Sequence, residues 1–517
     1  MKQGFSIGVL VDQSCTLQAW EFTMLQTCLE KGLAGKVSVL VQKGRSPSPK
    51  ENSLLRLFQW FERFWFANED DATNKVSLRE ISWVHEFVDA DNLTVVADMQ
   101  LDLIYSSADS FFEEQYKDFA SHGLWRIIFS EGDYFSCDPK AFWEVMHHSP
   151  VTGSHLIVYQ RNVPPVDVYH CSTATVPYSV KNNFNSIAWK SSSFLWYRLN
   201  ELAETGQEVF FKHMQPLENI RYSVIRQPGN LQMLFLFLRN VLRYILYKLE
   251  SKKQKRFTIA YTGKDFNVLK PDFSSFTNIA LPPNSFYADP FLIEHEEKPY
   301  IFFENYAEET GRGVISVLKP DNSILTVLQK PYHLSYPFVF KWEGNYFMIP
   351  ETADANNVQL YRCKEFPGQW EFVNELLSDT VLIDATVFFY QNKWWMFGVT
   401  RHHAACSTND QLLLYYTDHL LSGKWHSHPQ NPVATNIANC RPAGRVFEQN
   451  GKLYRPAQNN ASFQYGYGIC INEIEVLTET VYTEKEVFQY LPGVSVPYKA
   501  IHTVNKGEMV TVIDAIV

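Results

Sequence analysis

The chain has 517 residues, 45% hydrophobic and 20% charged, with a formal net charge of −10. That length allows at least two domains with sizeable cores, and the acidic balance argues against a nucleic-acid partner. The eight cysteines are scattered without a CxxC pair, which excludes the usual zinc and dithiol motifs and predicts free thiols.

The first residues, MKQGFSIGVLVDQ, run straight into a strand-like segment without the layout of a signal peptide. With the unpaired cysteines this gives a cytoplasmic expectation. FSIGVLVD predicts a strand, TLQAWEFTMLQTCLEKG a helix ending at glycine, and VSVLVQKG a second strand. SPSPKENS reads as a polar loop, and LDLIYSS and WRIIFSEGD as later strands. Alternating strands and helices predict an α/β domain over 1–205 with a mainly parallel sheet. The first strand-to-helix turn lacks GxGxxG, so no dinucleotide fingerprint is present and no cofactor is expected.

Residues 206–256 read as a linker carrying an amphipathic, basic helix, LQMLFLFLRNVLRYILYKLESKKQKR from Leu231. Arg239 and Arg243 interrupt the apolar run, which argues against a membrane span of about 20 apolar residues. Two readings stand: an inter-domain helix packed against the following domain, or a helix lying on a membrane surface with its basic tail near anionic lipid. The second makes the protein peripheral at the inner membrane or part of a capsule-assembly complex.

From 257 to the C-terminus one pattern recurs: DPFLIEHEEKPYIFFE, YPFVFKWEGNYFMIPE, DATVFFYQNKWWMFGV, and the weaker AGRVFEQNGKLYRPAQ and KAIHTVNKGEMVTVID. Each is a β-branched and aromatic run, a polar turn and a second such run, the signature of a hairpin. The copies start roughly 50 to 60 residues apart, a spacing typical of propeller blades. A hairpin brings its ends together, so Asp289, Tyr336, Asp384, Ala443 and Lys499 are expected beside Glu304, Glu351, Val399, Gln458 and Asp514. If five such units close into an all-β five-bladed propeller, these ends ring one mouth of a central channel. Several carboxylates in one cavity are what glycoside chemistry uses. Glu351 follows Met348, Ile349 and Pro350, an apolar setting that should raise its pKa and suit a general acid. Arg441 and Arg445 carry planar forks suited to carboxylate or phosphate. Tyr336 and Gln458 are candidate sugar-hydroxyl ligands, and Arg401 and His402 candidates for the channel mouth. The adjacent pair His402–His403 does not face one metal, so no metal site is expected.

Two resemblances add to this reading. FWEVMHHSPVTGSHLIVY (142–159) is similar to the formyltransferase fold, in which a tryptophan-containing helix leads into a strand. That resemblance implies an Asn-x-His pair followed by an Asp. IIFSEGDYF (127–135), where the pair is expected, has neither Asn nor His, although PPVDVYHCST offers Asp167. Without a polarising Asn and His, formyl transfer lacks its machinery, so the domain reads as a scaffold or a recognition domain that has lost the reaction.

In the C-terminal half, YADPF, HLSYPFVF, MIPE, LYR, IDATVFF, RPAGRVF and LYRPAQ resemble the five-bladed furanosidase-type propeller of glycoside hydrolase families 32, 43, 62 and 68. More closely they resemble the propeller-like N-terminal part of plant glucosamine inositolphosphorylceramide transferases and bacterial relatives. The resemblance implies a catalytic Asp at Asp289, as nucleophile or base, and a second Asp at Asp384 that holds the sugar or tunes the acid. The acid is assigned to Glu351, with Glu304 as the alternative or as a hydroxyl acceptor. The function this implies is a glycosyltransferase, similar to capsule fructosyltransferases, that moves a furanosyl residue from an activated sugar or disaccharide onto a bacterial capsule or surface polysaccharide. The alternatives are a sugar N-formyltransferase with a glycan-binding propeller, a furanoside hydrolase, and a binding or assembly protein without turnover.

Overall fold

A computed structural model describes residues 4–43, 52–66, 70–107, 114–130, 140–212, 214–216, 228–250, 256–421 and 423–517. The chain divides into two compact units, one of residues 1–252 with 402–407 and one of residues 253–401 with 408–517. Most of the polar loop expected at 46–53, and parts of 127–135 and of the expected linker, lie outside the described residues.

The first unit holds an eight-stranded sheet. Phe5–Val11 pairs in parallel with Ala34–Val41 on one side and Leu103–Ser106 on the other, and Val84–Asp89 and Leu124–Phe129 extend the parallel ladder. Val151–Tyr159, Val166–Ala174 and the short Gln215–Pro216 then continue it antiparallel. The sheet is therefore mixed, parallel over the early strands and antiparallel at one edge. Helices following the first strands lead to the expectation of a mainly parallel sheet, whereas Val151–Tyr159 and Val166–Ala174 are joined by a short turn as a hairpin, which pairs antiparallel. Ala19–Glu30 forms the expected helix. Val180–Ser191, Phe194–Thr205 and Ser53–Trp65 are further helices, beyond those expected from the sequence. The Asn230–Glu250 helix packs with this unit: Met233 and Leu236 are buried among Leu55, Phe58, Phe142 and Trp143.

The second unit comprises five four-stranded antiparallel sheets, a five-bladed β-propeller. Four blades are consecutive meanders. The fifth combines the C-terminal hairpin, Ala500–Lys506 and Thr511–Ile516, with Thr258–Thr262 and Thr277–Asn278 from the start of the unit. This pairing of first and last strands closes the ring, so the blade leaves no terminal edge at the join. The seven described cysteines are all free thiols.

Candidate functional site

The innermost strands of the first three blades each break register at one place: between Ala288 and Phe291, Ser335 and Phe338, and Ile383 and Thr386. A bulge inserts an unpaired residue and re-aims its side chain. The residues following the pairing break are Asp289, Tyr336 and Asp384, with φ of 51°, 42° and 56°. Left-handed backbone is tolerated by Asp and costly for a bulky side chain, so this conformation is held by its surroundings. The same hairpins pair Ala288 with Glu304 and Ser335 with Glu351, which places the acids where the repeat predicts. In the fifth blade the break falls between Ile501 and Thr503, so His502 occupies the special position. The copy beginning at Lys499 is therefore set three residues early in the sequence reading: Lys499 bonds to Ile516, while Thr503 pairs with Asp514.

The interior so formed holds Asp289, Glu304, Asp384 and Asp514, all buried, with His502 also buried. Glu351 and Arg441 join them at side-chain exposures of 15% and 12%. Arg441 grips Asp384 through Nε at 2.5 Å and Nη2 at 3.3 Å, a two-point fork, and its Nη1 donates to Asn409 at 2.9 Å. Gln458 donates to Asp384 at 3.4 Å and to the Pro442 carbonyl at 3.1 Å, leaving its buried Oε1 without a partner. Glu351 accepts from Ser335 Oγ at 3.0 Å and lies 3.9 Å from Arg441. Glu304 lies 3.4 Å from His333 Nε2. Tyr465 is stacked over the Arg441 guanidinium at 5.4 Å and is 45% exposed. A solute therefore reaches Glu351, Arg441, Tyr465 and His333 before it reaches Asp384.

These environments drive the protonation states apart. Burial first, then the Asp384 charge, pushes the Glu351 carboxyl up to about 7, against the pull of Arg441. Burial, with Asp384 and Asp514 adding and His502 opposing, pushes Asp289 up to about 6. Glu304 rises well above the usual carboxylate range through burial and the charges of Asp289, Glu351 and Asp514. Burial works against a charged His502, yet Asp514 and Asp289 raise its pKa overall. The result is an acid that keeps its proton near neutrality beside a carboxylate held by arginine, a division of labour suited to acid–base work on a sugar.

Asp514 serves the scaffold. It accepts from the backbone N–H groups of Asp289 at 2.8 Å, His502 at 3.2 Å and Thr503 at 2.8 Å, and lies 2.9 Å from His502 Nδ1. Thr503 Oγ1 and His502 Nε2 then hold Asp289 Oδ1 at 3.0 and 3.4 Å. Asp289, His502 and Asp514 offer ligand atoms within 4.8 Å of one another, a constellation able to hold a cation that no sequence motif discloses.

Other expected site residues have different work. The Tyr336 hydroxyl is buried, 2.9 Å from Thr386 Oγ1, and accepts the Gly444 N–H at 3.0 Å. Arg445 donates to the carbonyls of Leu292 and Val339 and lies over the Phe291 and Phe338 rings. Both stitch separate blades together across the interior. Arg401 is exposed. His402 groups with the first unit, where its Nε2 lies 3.3 Å from the Trp189 carbonyl. In that unit Asp167 pairs with His155 Nδ1 at 2.6 Å. His502, Tyr465 and Asn409 were missed by sequence reasoning; the corrected fifth-blade register is the signal that finds His502.

Residues 268–507 match the protein family described as glucosamine inositolphosphorylceramide transferase 1, N-terminal. Among similar curated proteins, glucosamine inositolphosphorylceramide transferase 1 of Oryza sativa subsp. japonica is 36% identical over 215 residues, covering 40% of this chain and 28% of that protein. Its namesake in Arabidopsis thaliana is 34% identical over 222 residues, covering 41% and 28%. The chain thus spans little more than a quarter of the length of these relatives. Among solved structures, a family 117 glycoside hydrolase of Zobellia galactanivorans aligns at 12% identity and TM-score 0.33, covering 51% of this chain and 90% of that one. A GH32 β-fructofuranosidase of Bombyx mori aligns at 14% and 0.35, covering 53% and 60%. The formyltransferase resemblance of the first unit finds no counterpart among these matches.

Proposed function

We propose that the propeller is a sugar-transferring site, with a glycolipid or polysaccharide as acceptor and an activated sugar or disaccharide as donor. The observation that carries this reading is the solvent-reached Glu351, protonated near neutrality, set against the Arg441–Asp384 pair. In this reading Glu351 protonates the leaving oxygen and then takes the acceptor's proton. Asp384 and Arg441 bind hydroxyl or phosphate oxygens, with Gln458 presenting its free Oε1 to a hydroxyl. Asp289 supplies negative charge to an oxocarbenium-like centre, and Glu304, held neutral, donates a hydrogen bond. The relatives' name supports transfer and a glycolipid class of acceptor. A furanosyl donor and a capsule acceptor are the narrower form of the proposal, resting on the sequence resemblance.

The test is incubation of the purified chain with nucleotide sugars or sucrose and candidate acceptors, followed by mass spectrometry of the acceptor. Glu351→Gln should lower turnover by about 10²–10⁴-fold, and Asp289→Asn should also lower it. Wild-type turnover in both variants would remove the propeller from the chemistry.

One observation favours a second reading, a glycan-binding module without turnover. The similarity to the named transferases covers only 28% of their length, so the activity in their name is not tied to the matched part. That reading predicts sugar binding, measurable by calorimetry, with no mass gain on any acceptor.

A further inference from the structure

The Ser53–Trp65 helix buries Leu55, Phe58 and Glu62 on one side. At helical spacing on the opposite side it presents Leu57, Trp60 and Phe64, followed by Trp65, with Trp60 and Phe64 at 63% and 70% exposure. The Asn230–Glu250 helix repeats the arrangement. Met233, Leu236 and Asn240 face inward, while Leu231, Phe235, Leu238, Leu242, Ile245 and Leu249 form an exposed stripe along its length.

The two helices start side by side. Asn52 Nδ2 donates to the Pro228 carbonyl at 2.6 Å and the Leu54 N–H to Asn230 Oδ1 at 3.3 Å. Further along, Phe58 and Phe61 meet Phe237 at ring separations of 6.2 and 6.0 Å. They run in the same direction as a pair, and each turns an apolar stripe to solvent. At about 1.5 Å per residue the longer stripe extends for roughly 28 Å. An apolar surface of this size on a soluble unit marks an interaction site.

The charge around it selects the occupant. Although the whole chain carries −10, these helices expose Arg56, Arg63 and Lys248, while Arg239 and Arg243 turn inward and donate to the Met146 carbonyl. The acids on them are Glu62, which is buried, and Glu250 at the end of the longer helix. The sequence SKKQKR follows directly. Trp60, Trp65, Tyr244 and Tyr247 add the amphipathic aromatics favoured at the boundary between water and hydrocarbon. Among the described residues no helix is long and apolar enough to cross a membrane, which fits helices that lie in the interface plane.

We propose that this two-helix face docks the protein on a bilayer containing anionic lipid, both helices lying flat with their exposed stripes in the acyl boundary and the exposed Arg56, Arg63 and Lys248 at the phosphates. It gathers a helix the sequence analysis did not anticipate with one it had already considered for a membrane surface. It does not rest on the chemistry assigned to the propeller.

The experiment is flotation of the full chain with vesicles of phosphatidylcholine alone and of phosphatidylcholine mixed with phosphatidylglycerol. The wild-type chain should float with the mixed vesicles, and binding should weaken as salt is raised. Leu238→Glu with Ile245→Glu should weaken binding roughly tenfold or more, and circular dichroism melts should show both proteins folded. Should those residues prove intolerant of charge, quenching of tryptophan fluorescence by brominated lipid in the wild-type chain gives an independent readout, since Trp60 and Trp65 lie on the face. The proposal is overturned if the wild-type chain floats with neither vesicle, if a folded double variant floats like wild type, or if brominated lipid leaves the fluorescence unchanged. It is equally overturned if ultracentrifugation shows a dimer without lipid that the double variant dissolves, for then a second copy covers the face.

Discussion

In the propeller, Asp384 and Asp514 have no measurable exposure, while in the N-terminal unit Phe64 is 70% and Leu231 85% exposed. Each region reverses the ordinary partition of residues between inside and outside, and each reversal is made good in a different way. The buried acids are held by a fork from Arg441, by backbone N–H groups, by His502 and by retained protons. The exposed aromatics have only ring contacts along the helix, such as Trp60 stacked on Phe64, and the proposed bilayer would supply the rest. A buried polar cluster is costly to disturb from within, whereas an exposed apolar stripe is cheap to change until its partner is present.

Asp514→Ala tests the first half of that contrast with the largest expected effect. The substitution strands three backbone donors and leaves His502 beside Asp289 without its main counter-charge. Removing one member of a buried pair costs about 3–5 kcal/mol, to which unsatisfied donors add. Urea unfolding of the variant beside Leu242→Gln, an exposed-stripe change expected to stay within about 0.5 kcal/mol, measures both regions on one scale. Equal midpoints for the two variants would break the contrast.

The pH dependence of stability sharpens it further. Glu351 is raised from 4.5 to about 7, and Asp289 to about 6, so the folded state binds protons more tightly than the unfolded chain. Their contribution to stability is complete below the ordinary carboxyl pKa of about 4 and is lost as pH rises towards 7. For Glu351 that loss is on the order of 3 kcal/mol. Glu351→Gln cannot ionise, so relative to wild type it should gain stability steadily between pH 4 and about 8, read as the difference in urea midpoints. A difference that stays constant with pH would mean Glu351 titrates like a solvated acid.

The period, the turn residues and the acids at hairpin ends make the blades, and the meeting of Asp289, Glu304, Glu351 and Asp384, legible from sequence alone. His502 was not legible, because a bulge between Ile501 and Thr503 shifts the fifth copy and its sheet is completed by Thr258–Thr262, far away in sequence. No local pattern carries that pairing. The Ser53–Trp65 helix is a different case: Leu57, Trp60, Phe61, Phe64 and Trp65 fall on one side at helical spacing, so the element itself is legible, but the core takes Leu55, Phe58 and Glu62 at the border of that side, and no local pattern shows that the apolar side faces solvent. Arg445 illustrates a limit of residue type, since a guanidinium aimed at carbonyls of two other blades reads in sequence like one aimed at a ligand.

Tyr336→Phe carries the smallest effect expected inside the propeller and separates scaffold from site most finely. Tyr336 shares its register and left-handed backbone with Asp289 and Asp384, so position alone makes it a sugar ligand. Its hydroxyl is already committed to Thr386 and the Gly444 N–H, bridging three blades. Removing it leaves the buried Gly444 N–H without its acceptor and the Thr386 hydroxyl with only the Asp384 carbonyl, a cost of about 1–2 kcal/mol, and takes nothing from the solvent-reached group of Glu351, Arg441 and Tyr465. A lowered urea midpoint with unchanged sugar affinity by calorimetry is the expected pair of results. A loss of affinity with the midpoint intact would move Tyr336 from the scaffold into the site, and would show that the interior opens further than Glu351 and Arg441 when sugar binds.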